Sequence, residues 1–147
     1  MIDMNRNSIL GPALAAAALL IASPSAASDC AKADLNRALV ERFYTDVMIG
    51  RHADHAPAYL SADYIQHNPH VAPKRAGFMK DFGEGFRQAP PPDYKREILN
   101  IVAGGDLVVV YVRQTWTDPQ GQPRHHLSFD QFRVENGAIT EHWDADD

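Results

Sequence analysis

The order of signals along the chain predicts an α+β fold, with helices on one face of a curved antiparallel sheet and a central pocket between them. Three observations carry this. Apolar residues recur every four positions in 31–49, and Phe78, Phe82 and Phe86 repeat the spacing, which is that of helices. From Tyr94 onward the pattern becomes strand-like. Three turn signals in succession then divide that half into four strands.

The first helix is predicted over 31–49. Leu35, Leu39, Phe43 and Val47 form one row, and Val40, Tyr44 and Met48 lie on the row beside it. Asp29 suits its start and Gly50 its end. A short helical turn is expected at Asp54–Leu60, then a brief strand, Asp63–His67, closed by Asn68-Pro69. Pro73 suits the first turn of the next helix, which carries the Phe78/Phe82/Phe86 stripe. Gly77, Gly83 and Gly85 weaken that helix, so packing must hold it, and Ala89-Pro90-Pro91-Pro92 stops it. Strands are expected at Tyr94–Ala103, Leu107–Thr117, Gln122–Glu135 and Ala138–Asp144. Gly104-Gly105-Asp106, Asp118-Pro119-Gln120-Gly121 and Asn136-Gly137 join them.

With 147 residues, 45% hydrophobic and 22% charged, the chain suits one domain. Its net charge of −5 and lack of a basic patch argue against a nucleic-acid partner. Residues 1–27 have the pattern of a signal peptide: Arg6, the apolar run Ile9–Ala22, and small residues up to Ala27. The run falls short of the roughly 20 residues a spanning helix needs. The expected mature domain is therefore 28–147, periplasmic or secreted, with no membrane contact after cleavage. The single cysteine, Cys30, allows no intrachain disulfide.

Alternation sorts the strand His125–Val134 into two faces. His126, Ser128, Asp130, Phe132 and Val134 share one. His125, Leu127, Phe129, Gln131 and Arg133 share the other. Both faces are mixed, so one is expected to line the pocket and the other to meet a partner subunit. Asp130 stands between Phe129 and Phe132-bearing strand positions, where desolvation of a carboxylate favours general acid–base work. The alternative is a structural salt bridge to Arg113 or Arg133. His126, two places along the same face, either bonds Asp130 or a substrate oxygen, or faces solvent. His67, at the Asn-Pro corner, either bonds backbone or points into the cavity. Phe78, Phe82, Trp116 and Tyr64 are core candidates that also suit a pocket wall. The pairs His67/His70 and His125/His126 lack the spacing of a recognised metal motif, so no metal site is assigned.

Two stretches are specific in combination: Tyr64-Ile65-Gln66-His67-Asn68-Pro69, and Phe129-Asp130-Gln131-Phe132-Arg133-Val134-Glu135-Asn136-Gly137 followed by Thr140-Glu141-His142-Trp143-Asp144. Together they resemble the SnoaL-like (polyketide cyclase-like) group of the NTF2-like superfamily, over nearly all of residues 31–145. The resemblance implies an NTF2-like cone with the sheet wrapped around a deep pocket, and a homodimer formed through the outer sheet face. It implies ring closure by aldol condensation, or a related isomerisation, without a cofactor. Asp130 falls on the position of the family's acid–base aspartate. His67 belongs to a typical motif and is expected at the cavity mouth, with His126 assisting. The expected catalytic set is Asp130, His126 and His67, and the expected pocket wall is Tyr64, Phe78, Phe82, Phe132 and Trp116. The ligand is a small carbonyl compound. The rival reading is a binding module that holds a small ligand without chemistry.

Overall fold

The computed structural model describes residues 24–146. The described elements run α1 (Pro24–Phe43), a π-helical turn (Tyr44–Ile49), a 3-10 turn (Ala53–Ala58), β1 (Leu60–Gln66), α2 (Lys74–Arg87), β2 (Lys95–Gly104), β3 (Leu107–Thr117), β4 (Pro123–Glu135) and β5 (Ala138–Asp146). The expected order is therefore observed. Most of the expected export segment lies outside the described residues. No described helix is long and apolar enough to cross a membrane.

α1 begins earlier than the periodicity indicates, so Asp29 lies inside the helix and does not cap it. Alanine-rich sequence has high helix propensity, which carries the helix back to Pro24. Cys30 is exposed on it. The buried stripe is also rotated from the expected one. Leu35 is 73% exposed, whereas Asn36 is buried and donates from Nδ2 to the Gly105 carbonyl at 2.9 Å. Val40, Phe43, Tyr44 and Val47 continue the buried row. At Tyr44 the helix widens to π geometry, and the Gly50 N–H closes it on the Thr45 carbonyl. Such wide turns shift the side chains that follow and are frequent at functional sites.

The sheet order is β1-β5-β4-β3-β2. β2 to β5 form the expected antiparallel meander, with Asn136 and Gly137 at positive φ in the last two-residue turn. That backbone requires φ > 0 at both positions, which asparagine and glycine tolerate best. β1 runs parallel to β5, so the sheet is mixed where antiparallel pairing throughout was expected. The reason is connectivity: α2 and the proline-rich loop separate β1 from the meander, so no hairpin constrains its direction. The sheet is open, not a closed barrel. Register shifts in β2/β3 and β4/β5 supply curvature.

The core lies between the helices and the concave face. Val108, Val110 and Val112 of β3 and Phe132 and Val134 of β4 meet Val40, Phe43 and Val47, all nearly or fully buried. Phe43 is the hub, with ring contacts to Tyr59, Phe78 and Phe132 at 5.7–5.9 Å. Arg51 ties the turn after α1 to the end of α2. Its guanidinium donates to the carbonyls of Gly85, Phe86 and Gln88 and lies over the Phe86 ring. Those carbonyls are among the ones a helix leaves unpaired at its C-terminus. Packing thus compensates for the glycines of α2.

Candidate active site

All five strands, the π-helical turn and the loop after β1 deliver polar side chains into one cavity of about 120 Å3. Cross-strand register sets them in rows. Arg96 of β2, Gln114 of β3 and His126 of β4 are aligned at one end. Ser128 follows. Asp130 aligns with Asp144 of β5, and Phe132 with His142, at the other end. The apolar wall comes from Phe43, Met48, Phe78, Phe82 and Phe132, with Tyr44 and Tyr64.

Asp130 and His142 are both buried and joined, Nε2 to Oδ1, at 2.9 Å. The second carboxylate oxygen accepts from the Tyr44 hydroxyl at 3.0 Å. Burial, reinforced by the Asp130 charge, pushes the hydroxyls of Tyr44 and Tyr64 well above the ordinary tyrosine range. Both are therefore neutral donors at any physiological pH.

The corner Gln66-His67-Asn68 determines which nitrogen of His142 carries hydrogen. The Asn68 backbone N–H donates to Gln66 Oε1 at 2.9 Å. A backbone N–H can only donate, so the amide atom there must be the oxygen. The same oxygen stands 2.8 Å from His142 Nδ1, which therefore bears the proton. His142 Nε2 and Asp130 Oδ1 then share one further proton. Either the imidazole is charged beside a carboxylate, or a neutral imidazole accepts from a carboxylic acid. This is a poised acid–base pair. Asn68 is pinned in the same way: its Oδ1 accepts from the His70 N–H, which turns Nδ2 to Asp144. Asp144, itself exposed, thus lines the cavity.

The expected pocket residues Tyr64, Phe78, Phe82 and Phe132 line the cavity, as does His126. His126 meets Gln114, whose Nε2 lies 3.1 Å from Nδ1. Asp130 takes neither of the salt bridges that were its structural alternative: Arg113 pairs with Glu97, and Arg133 with Asp106 and Glu141.

Two placements correct the sequence reading. His67 is not at the cavity mouth. It stacks on Trp143 at 4.9 Å and meets Glu141 Oε1 at 2.8 Å, on the opposite face of the sheet from His142. The reason is alternation: buried Tyr64 places Gln66 inward, so His67 turns outward. Trp116 aligns with Arg124, one row beyond Gln114, past the end of the cavity, in an outer groove with Lys95 and His125.

The residues missed were Tyr44, Gln66, Asn68, His142 and Asp144. Period two from Tyr64 marks Gln66, and the motif Glu141-His142-Trp143-Asp144 contains two of the others. Nothing local marks Tyr44, because its partner Asp130 is 86 positions away.

Among the described residues, two groups bring metal-ligand atoms within 4.8 Å of one another: Asp130, His142 and Asp144, and on the surface Asp46, His52 and His55. Neither is a pair the sequence offered.

A mixed curved sheet packed over helices, with a buried aspartate in the cavity between them, defines an α+β pocket protein. A family model described as a SnoaL-like domain matches residues 40–142, and the chain belongs to that family. No curated protein sequence matches it. Several solved structures share the fold. TsrD from Streptomyces laurentii is 20% identical with a TM-score of 0.63, covering 78% of this chain and 89% of that one. A protein described as a candidate polyketide cyclase from Acidithiobacillus ferrooxidans is 19% identical with a TM-score of 0.63, covering 77% and 88%. A candidate ketosteroid isomerase from Kribbella flavida is 22% identical with a TM-score of 0.60, covering 77% and 78%.

Proposed function

We propose that the protein is an acid–base enzyme acting on a compact carbonyl compound, of the aldol-cyclase or isomerase type, and that Asp130 is its base. The observation that carries this is the Asp130–His142 pair, buried in a cavity with an aromatic wall and sharing a proton. Asp130 takes a proton from the carbon next to the substrate carbonyl. The electron pair moves to the carbonyl oxygen, and neutral donors in the cavity wall stabilise the enolate. Return of the proton at another carbon isomerises the substrate; attack of the enolate on a second carbonyl closes a ring. No step in this scheme calls for a cofactor. His142 holds and orients the carboxylate. The cavity volume, below the ~300–1,000 Å3 of typical drug-sized sites, supports a compact substrate.

Hydrogen–deuterium exchange tests this without knowing the natural substrate. Simple ketones and 1,3-dicarbonyl compounds are incubated in D2O, and uptake at the α-carbon is read by mass spectrometry. Acceleration by the wild type that Asp130→Asn abolishes is the expected result. Equal exchange in both would remove Asp130 from the base role and favour the binding-module reading, for which the aromatic wall is the supporting observation.

We also propose export of the mature domain and a homodimer. Exposed Phe129, stacked on Tyr111 at 4.4 Å, and exposed Leu99 give the outer sheet face an apolar patch that supports the second. Sedimentation of the mature chain tests the dimer: a monomer at micromolar concentration contradicts it.

A further inference from the structure

The end of the cavity away from His142 is built around a cation. Arg96 lines it, on the row of Gln114 and His126. Its Nη2 donates to Gln114 Oε1 at 3.1 Å, and the Tyr94 hydroxyl donates to the same oxygen at 2.6 Å. Because an arginine only donates, the atom it meets must be the amide oxygen. Gln114 Nε2 is thereby turned to His126 Nδ1, which accepts. Arg96 and Tyr94 thus orient the Gln114 amide within the row.

Two features of Arg96 have no explanation within the protein. Its Nε is shut away from solvent and has no hydrogen-bond partner. Among the described residues, no carboxylate lies within ion-pair distance of its guanidinium, although Lys74, Arg113, Arg124 and Arg133 each have one. A partly desolvated guanidinium without an anion is costly, and so is a buried donor without an acceptor. Arginines elsewhere in the fold, such as Arg113 and Arg133, are paired.

We propose that Arg96 holds a carboxylate of the substrate. This rests on the reading of Asp130 as the base and adds the substrate class: a compact oxo acid whose carbonyl reaches Asp130 while its carboxylate reaches Arg96. Arg96 lines the cavity and its planar guanidinium suits a carboxylate, so the ligand supplies the missing charge. His126 and Asp130 are four residues apart on one strand, about 13 Å between their rows. Arg96 is near enough to act electrostatically on the Tyr44 hydroxyl, which itself lies 3.0 Å from Asp130, so a short ligand reaches both ends. Ser128 lies between them on the same face.

Calorimetric binding to the Asp130→Asn protein tests the inference apart from catalysis. The probes are acetoacetate and methyl acetoacetate, which share the carbonyl and differ in the anion. Acetoacetate is expected to bind at least tenfold more tightly than the ester, and Arg96→Met is expected to erase that difference. Arg96→Lys keeps the charge and part of the preference, and serves where the methionine variant does not fold. Equal binding of acid and ester, binding of neither, or a preference that survives Arg96→Met overturns the proposal. Displacement of acetoacetate by an equal concentration of inorganic phosphate overturns the carboxylate assignment in favour of phosphate. If the preference holds but the Asp130→Asn protein still exchanges deuterium, the base assignment fails and the anion site stands. The reverse result removes only the anion site.

Discussion

His142 Nε2 lies 2.9 Å from Asp130 Oδ1, and both side chains are buried. The two residues come from neighbouring strands, and each has a second partner, Gln66 for the imidazole and Tyr44 for the carboxylate. The result is a chain of hydrogen bonds from backbone to base, with the donor assigned at each link except the proton that His142 and Asp130 share.

Asp130→Asn keeps the shape and removes the base. Turnover of any substrate found should fall by about 10²–10⁴-fold, with folding intact by circular dichroism. An activity within a few-fold of wild type would falsify the assignment.

Gln66→Leu removes the acceptor that places hydrogen on His142 Nδ1. Partners of this kind, one step removed from the reacting group, typically alter activity by about 10–100-fold. The diagnostic readout is nitrogen-15 NMR of the His142 ring, which should lose its fixed Nδ1–H signature. An unchanged ring spectrum would show that Gln66 does not set the tautomer.

Tyr44→Phe deletes the donor to Asp130 Oδ2 in a buried setting. Leaving a buried acceptor without that partner should cost about 1–3 kcal/mol in urea unfolding. No loss of stability would mean that the oxygen finds another donor.

Phe43→Ala empties the point where Tyr59, Phe78 and Phe132 meet. The expected loss is about 3–5 kcal/mol. That is a large part of the roughly 5–15 kcal/mol available to a domain of this size. The denaturation midpoint should fall with little change in slope. A loss below 1 kcal/mol would mean that the core collapses to fill the space.

Asp46 accepts from both His52 and His55 and from the Tyr59 hydroxyl. Those bonds pull its carboxyl down to about 2, and the bond to Asp46 raises His55 above its usual value. The depressed acid stabilises the fold above pH about 4, the unfolded range, and loses that contribution as pH falls toward 2. The raised histidine stabilises below about 6.5 and loses its contribution as pH rises through the folded value. Both contributions are present together between about pH 4 and 6.5. The stability gap between wild type and Asp46→Asn should therefore peak there, and His55 should titrate lower in the variant by proton NMR. A gap independent of pH would contradict the ion pair.

Much of this was legible in the chain because the governing interactions are local. Periods of four and two, the proline stop after α2 and the Asn136-Gly137 turn are each properties of a few adjacent residues, and the elements appear in the order those residues indicate. The face of β4 carrying Asp130 was likewise a matter of alternation. His67 was expected at the cavity mouth on the family motif, and the alternation that starts at Tyr64 turns it to the other face.

The sequence by itself determined the element order, the meander, the family motifs and the candidacy of Asp130, since short-range backbone preferences and side-chain periodicity act within each segment. Only the tertiary structure decided that β1 pairs in parallel with β5, that His142 and not His126 or His67 sits against Asp130, and that Tyr44 completes the site. Those facts depend on which distant segments come into register, and register is set by burial across the whole sheet, a cooperative property that no single segment carries.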